Sequence, residues 1–93
     1  MNTLKITIEN IDADGYYDGS VDVANFNGNI EIDAGEGWCR FKSSVKAAGY
    51  IKSVGSIYAA GYIYSHGYIK SGGNIVSHDF IKSGGPIFSG GDI

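Results

Sequence analysis

Four groups of side chains in this chain have the types that chemistry uses. They are two histidines, one cysteine, a close set of aspartates, and tyrosines interleaved with lysines. His66 and His78 stand twelve residues apart with no third histidine. A metal centre needs three or four convergent ligands, so a pair at this spacing makes none. Cys39 is the single cysteine, which excludes an internal disulfide framework and a cysteine-rich zinc site. No base adjoins it, and it reads as a small buried hydrophobe. Asp12-Ala13-Asp14-Gly15 begins like a calcium-binding loop, but the twelfth position counted from Asp12 is Val23 where the bidentate glutamate should be. It reads as a solvated turn. No phosphate loop, nucleophile elbow or carboxylate pair at fixed structural spacing occurs. The expectation is no enzyme, no catalytic residue, no metal and no cofactor.

The tyrosines and lysines gain meaning from the elements that position them. From Val45 to Ile93 the chain repeats every six residues: VKAAGY, IKSVGS, IYAAGY, IYSHGY, IKSGGN, IVSHDF, IKSGGP, IFSGGD, then Ile93. The first slot is always Val or Ile, the third Ser or Ala, and the fifth Gly except at Asp79. Glycine this frequent would ruin a long flat strand. Short strands bent at regular corners resolve the conflict, with the Ile column inside and backbone hydrogen bonds running between coils. One coil cannot bury its own apolar side, so stacking is obligatory. No stretch shows helical apolar spacing, and essentially no helix is expected.

The front is less regular. Leu4, Ile6 and Ile8 alternate with polar residues over 3–11 and read as a strand; 12–20 is turn chemistry. Val21/Val23 and Ile30/Ile32 read as two short strands about a tight turn at Asn27-Gly28. A faint echo, I-T-I-E-N-I against V-D-V-A-N-F, leaves two options for residues 1–44: irregular rungs of the same stack, or an acidic β cap over its end. Residues 34–37, A-G-E-G, form a break, after which 38–42 alternate again.

The 93 residues carry 15 glycines, one proline and a net charge of −3. That charge is segregated: residues 1–38 hold eight carboxylates and one lysine, residues 39–93 six cations and two carboxylates. Segregation suits mutual contact, head-to-tail association or two partner surfaces, with Asp12, Asp14, Asp18 and Asp22 as the acidic surface. There is no basic amino-terminal region with an apolar run behind it, and no window nears the roughly 18 apolar residues of a spanning helix. A soluble, cytoplasmic protein without membrane contact is expected.

The hexads resemble those of the hexapeptide-repeat β-helix proteins, which have an aliphatic first slot and a small fifth slot. The second slot departs, holding Lys52, Tyr58, Tyr64 and Lys70 where those proteins favour Gly, Ala or acids. The rhythm G-x-I-x-[SA] also looks like bactofilins, which form polymers, and like short repeat proteins of phages. The resemblance covers about half of the chain. It implies an all-β fold: a triangular β-solenoid of about three coils over 45–93, with the amino-terminal β region capping it. Three hexads per coil stack residues eighteen apart. One face then carries Tyr62 over Phe80 beside Lys46, Tyr64 and Lys82. The next carries Tyr50, Tyr68 and Pro86 beside Lys52, Lys70 and Phe88, and the third is poorer, with Tyr58 and Val76.

Those aromatic–lysine columns are a stabilising ladder, a protein interface, or, weakly, a nucleic-acid surface. The partner-binding candidates are Tyr50, Lys52, Tyr62, Tyr64, Tyr68, Lys70, Phe80, Lys82 and Phe88. The corner histidines have a counterpart in hexapeptide acyltransferases, but those have more coils and an extended loop. Ice binding lacks its threonine arrays. The chain stops at a core-slot residue, so a homo-oligomer, a homodimer in its simplest form, is expected through Phe88, Asp92 and Ile93. Two functions follow. One is a non-enzymatic protein that binds and blocks a larger assembly, in its sharpest form a phage-encoded inhibitor of a host defence complex (anti-CRISPR-like), acting in the host cytoplasm. The alternative is a bactofilin-like structural polymer.

Overall fold

An aliphatic residue at every sixth position can stay inside only if the backbone turns between one and the next. In the computed structural model, which describes residues 2–35 and 37–93, it turns three times per coil. Among the described residues eleven strands form three parallel sheets, the sides of a triangular β-solenoid. One sheet is β1 (Asn2–Thr7), β2 (Gly28–Asp33), β5 (Ile51–Ser53), β8 (Ile69–Ser71) and β11 (Ile87–Ser89), in that order. A second is β4 (Val45–Ala47), β7 (Ile63–Ser65) and β10 (Ile81–Ser83). The third is β3 (Trp38–Phe41), β6 (Ser56–Ala59) and β9 (Ile75–Ser77). Two short 3-10 turns, Ile8–Asn10 and Val23–Asn25, are the only helical pieces among the described residues. The regular hexads make about three coils with the eighteen-residue register: Val45 pairs with Ile63 and Ile63 with Ile81.

The inward column is close-packed. Ile51, Ile57, Ile63, Ile69 and Ile75 are all fully buried, each worth about 1.5–3 kcal/mol of burial. The third-slot hydroxyls fasten the corners. Ser65 donates to the Gly67 carbonyl at 2.9 Å, Ser77 to Asp79 at 3.0 Å and Ser71 to Gly55 of the coil beneath at 2.9 Å. This explains why the slot accepts Ser: the hydroxyl lies inside, but beside a carbonyl that the turn leaves available. Sixth-slot backbone N–H groups take a side-chain acceptor from the coil beneath where one exists. Asn29 serves Tyr50 at 3.0 Å, Ser44 serves Tyr62 at 3.0 Å and Asn74 serves Asp92 at 2.8 Å.

The front differs from part of its sequence reading. Strand β1 ends at Thr7, and Ile8 is 73% exposed at the start of the first 3-10 turn. Residues 21–33 form no hairpin. Val23–Asn25 is the second 3-10 turn, its first N–H groups drawn over by Asp22, whose Oδ1 accepts from Ala24 at 2.9 Å. Gly28 begins β2, which lies parallel to β1 in a register of twenty-six residues, Asn2 against Gly28. A Cβ on Gly28 would meet the Asn2 carbonyl oxygen at 2.1 Å, so close backbone approach, not turn geometry, is the use of glycine there. Tyr16 bridges to Arg40 and Phe26 to Ala47, both in parallel. The front thus lines up with the three sides of the stack, at longer and unequal intervals.

Candidate functional site

The outward second and sixth slots build the lateral faces, and the candidates divide between two of them. On the five-stranded face the second-slot column runs Lys5, Glu31, Lys52, Lys70, Phe88 in direct register. Beside it Tyr50 and Tyr68 stack with centroids 4.8 Å apart and planes 4° apart. The Tyr50 hydroxyl donates to the Glu31 carboxylate. That bond first, and burial second, hold the phenol above its ordinary pKa. Lys70 has Lys52 and Phe88 as cross-strand neighbours, and Lys52 has Glu31 on its other side. Lys52, Tyr68, Lys70 and Phe88 line an open groove of about 340 Å³, and Phe88 is 54% exposed at its edge.

On the β4–β7–β10 face, Tyr62 and Phe80 stack at 4.9 Å with parallel planes. Lys46 lies over the Tyr64 ring at 5.5 Å, and Lys82 follows Tyr64 in register. Here a lysine is already spent on a ring of the same chain, so this face offers fewer free groups than the first.

The third face was the sequence's blind spot. Tyr16, Arg40 and Tyr58 fall into one outward column, with Trp38 two residues before Arg40 on the same side of β3. Together they line a pocket of about 310 Å³. Its amino-terminal members come at irregular intervals, so a six-residue rhythm does not reveal them. The signal that could have found them is the strand alternation over 38–42, which puts Trp38 and Arg40 outward.

The remaining candidates have local roles or stand apart. The Asp12 Oδ1 accepts from the N–H groups of Asp14 at 2.9 Å and Tyr16 at 3.0 Å, making the expected turn. Asp14, Asp18 and Asp22 are exposed. His66 sits edge-on to Tyr64 and His78 edge-on to Tyr58. Among the described residues no group of three or more His, Cys, Asp or Glu converges on a metal position. Cys39 is buried between the sheets, and desolvation pushes its thiol up to about 12, so it carries no nucleophile at neutral pH. Of Phe88, Asp92 and Ile93, Phe88 lines the groove above and Ile93 lines a hollow with Ile75, Val76, Ser77, Asp79 and Ile81. Among the described residues no helix is long and apolar enough to cross a membrane. Comparison with protein-family models, curated proteins and solved structures finds no match.

Proposed function

We propose that the protein is a non-enzymatic binding protein that docks on a larger assembly through its five-stranded face and blocks it. One observation carries the reading: Lys52 and Lys70 stand directly opposite each other on adjacent strands, beside a tyrosine stack and an exposed Phe88. Like charges in that position are destabilising, by about 0.2–1 kcal/mol. A fold-only ladder would place an acid or a threonine there. An aromatic centre rimmed by cations is the composition of a docking surface, and the carboxylates it would meet belong to an acidic partner. The similarity of the hexads to phage repeat proteins supports the sharper form, a phage-encoded inhibitor of a host defence complex, working in the host cytoplasm.

The test is binding of the captured assembly to surface-tethered protein. Phe88→Ala, and Lys52→Glu with Lys70→Glu, each weaken it by ten-fold or more, while Asp14→Lys with Asp18→Lys leaves it within two-fold. The reverse pattern would transfer the contact to the acidic front. A second reading, a bactofilin-like polymer, draws on the hollow lined by Ile75, Ile81 and Ile93, where Ile93 is 66% exposed. Electron microscopy at rising concentration separates the two: filaments favour the polymer, discrete particles the inhibitor.

A further inference from the structure

The third face is centred on Arg40. Arg40 is half-buried, its stem passing 3.9 Å from where a Gly15 Cβ would stand. Among the described residues its guanidinium makes no hydrogen bond, no ion pair and no stacking contact with a ring. The main chain of Arg40 is held firmly. The Arg40 N–H donates to the Gly15 carbonyl at 2.9 Å, and its carbonyl accepts from the Tyr17 N–H at 2.7 Å. Gly15 reaches that place with φ of 87°, a conformation that suits glycine. The turn therefore sets Tyr16 alongside Arg40, and the eighteen-residue register sets Tyr58 on its other side. Trp38, 38% exposed, completes the wall.

Trp38 and Tyr58 supply apolar rings, and the guanidinium, unpaired among the described residues, supplies a fork of N–H donors that fits a phosphate or carboxylate edge. The Lys42 ammonium lies 5.4 Å from the centre of the Tyr16 ring, so that ring already carries a cation of its own chain. The turn that carries Tyr16 also carries two carboxylates. Asp12 turns its carboxylate to its own backbone, and Asp14 is exposed beyond it. At about 310 Å³ the pocket is near the lower bound of small-ligand sites and too small for a folded partner.

We infer that Tyr16, Trp38, Arg40 and Tyr58 form a binding site for a planar aromatic anion of the mononucleotide class, with the ring system stacked on Trp38 and Tyr58 and the oxyanion held by Arg40. A ring on an aromatic face and an anion on a guanidinium act together only when one ligand carries both. This site is independent of the five-stranded face and stands or falls separately from it.

Trp38 is the chain's single tryptophan, so its fluorescence reports the pocket directly. Titrations with adenosine monophosphate, adenosine and inorganic phosphate test both halves of the site without any substitution. Saturable quenching by the monophosphate is expected, with adenosine and phosphate each at least ten-fold weaker. Arg40→Gln removes the advantage of the monophosphate over adenosine, and Arg40→Lys restores part of it, with an unchanged thermal midpoint verifying the fold. No saturable response to the monophosphate, or equal affinity for adenosine, overturns the inference. So does an Arg40→Gln variant that binds the monophosphate like the parent.

Discussion

Ser53 and Ser71 occupy equivalent slots one coil apart, yet their hydroxyls differ in consequence. Ser71 reaches the Gly55 carbonyl at 2.9 Å, whereas the buried Ser53 Oγ has no partner among the described residues. Beneath Ser53 in register lies Ile32, which offers it nothing. A buried hydroxyl without a hydrogen bond is a liability, and removing it relieves the desolvation. Ser53→Ala is expected to leave stability unchanged or raise it by up to about 1 kcal/mol. Ser71→Ala, which strands a carbonyl, lowers it by about 1–2 kcal/mol. Urea unfolding of the two variants side by side decides this; equal losses would sink the corner-bond account. Cys39 gives a second residue-scale prediction. Its thiol titrates near 12 in the fold against an ordinary 9.0. Below 9 both folded and unfolded chains keep the proton. Between 9 and about 12 the folded chain keeps it while the unfolded chain loses it, so stability falls as pH rises through that window. Cys39→Ala flattens that part of the pH–stability curve, and the native thiol resists labelling until the chain unfolds.

At the scale of the element, strands β5 and β8 carry the tension between folding and binding. If the Lys52–Lys70 contact serves a partner, Lys70→Glu stabilises the isolated protein by about 0.2–1 kcal/mol and weakens the complex. A variant that loses stability would show the lysine stems to be packing groups instead. The corner between β8 and β9 makes a different demand. A Cβ on Gly72 would stand 1.9 Å from the Val54 carbonyl oxygen. Gly72→Ala should therefore push adjacent coils apart and cost about 1–3 kcal/mol, read from the thermal midpoint. Strand positions from Val45 onward were legible in the sequence, because an unbroken aliphatic slot fixes which residues point inward and a small residue fixes where the chain bends. The front was not. Val21 and Val23 alternate like a strand, but Asp22 offers its carboxylate to a local N–H, and the 3-10 turn it caps takes that segment out of the sheet.

For the whole molecule, the three faces differ in what they leave free. The first presents paired lysines beside exposed aromatics, the second has Lys46 already on Tyr64, and the third holds a ring-walled pocket around Arg40. The body measures 32 × 28 × 21 Å, small enough for a single partner to cover one face and leave another open. On the proposal that the five-stranded face recognises acids by charge, binding there should weaken steeply as salt rises, with the screening length shrinking to about 8 Å at physiological ionic strength. Calorimetry across a salt series measures this; a flat response would assign the affinity to Phe88 and the tyrosines. Nucleotide binding on the third face should survive when the first is blocked.

The sequence by itself determined the six-residue rhythm and the inward isoleucines, and its resemblance to the hexapeptide-repeat β-helices implied the eighteen-residue coil that stacks Tyr50 on Tyr68 and Tyr62 on Phe80. Each follows from residues at a constant separation, and a constant separation becomes a column once coils stack. Only the tertiary structure decided which carboxylate Tyr50 engages, which serine lacks a partner, and that Tyr16, Trp38, Arg40 and Tyr58 meet. Those groups are joined across intervals of unequal length, where the spacing along the chain carries no image of the distance in space.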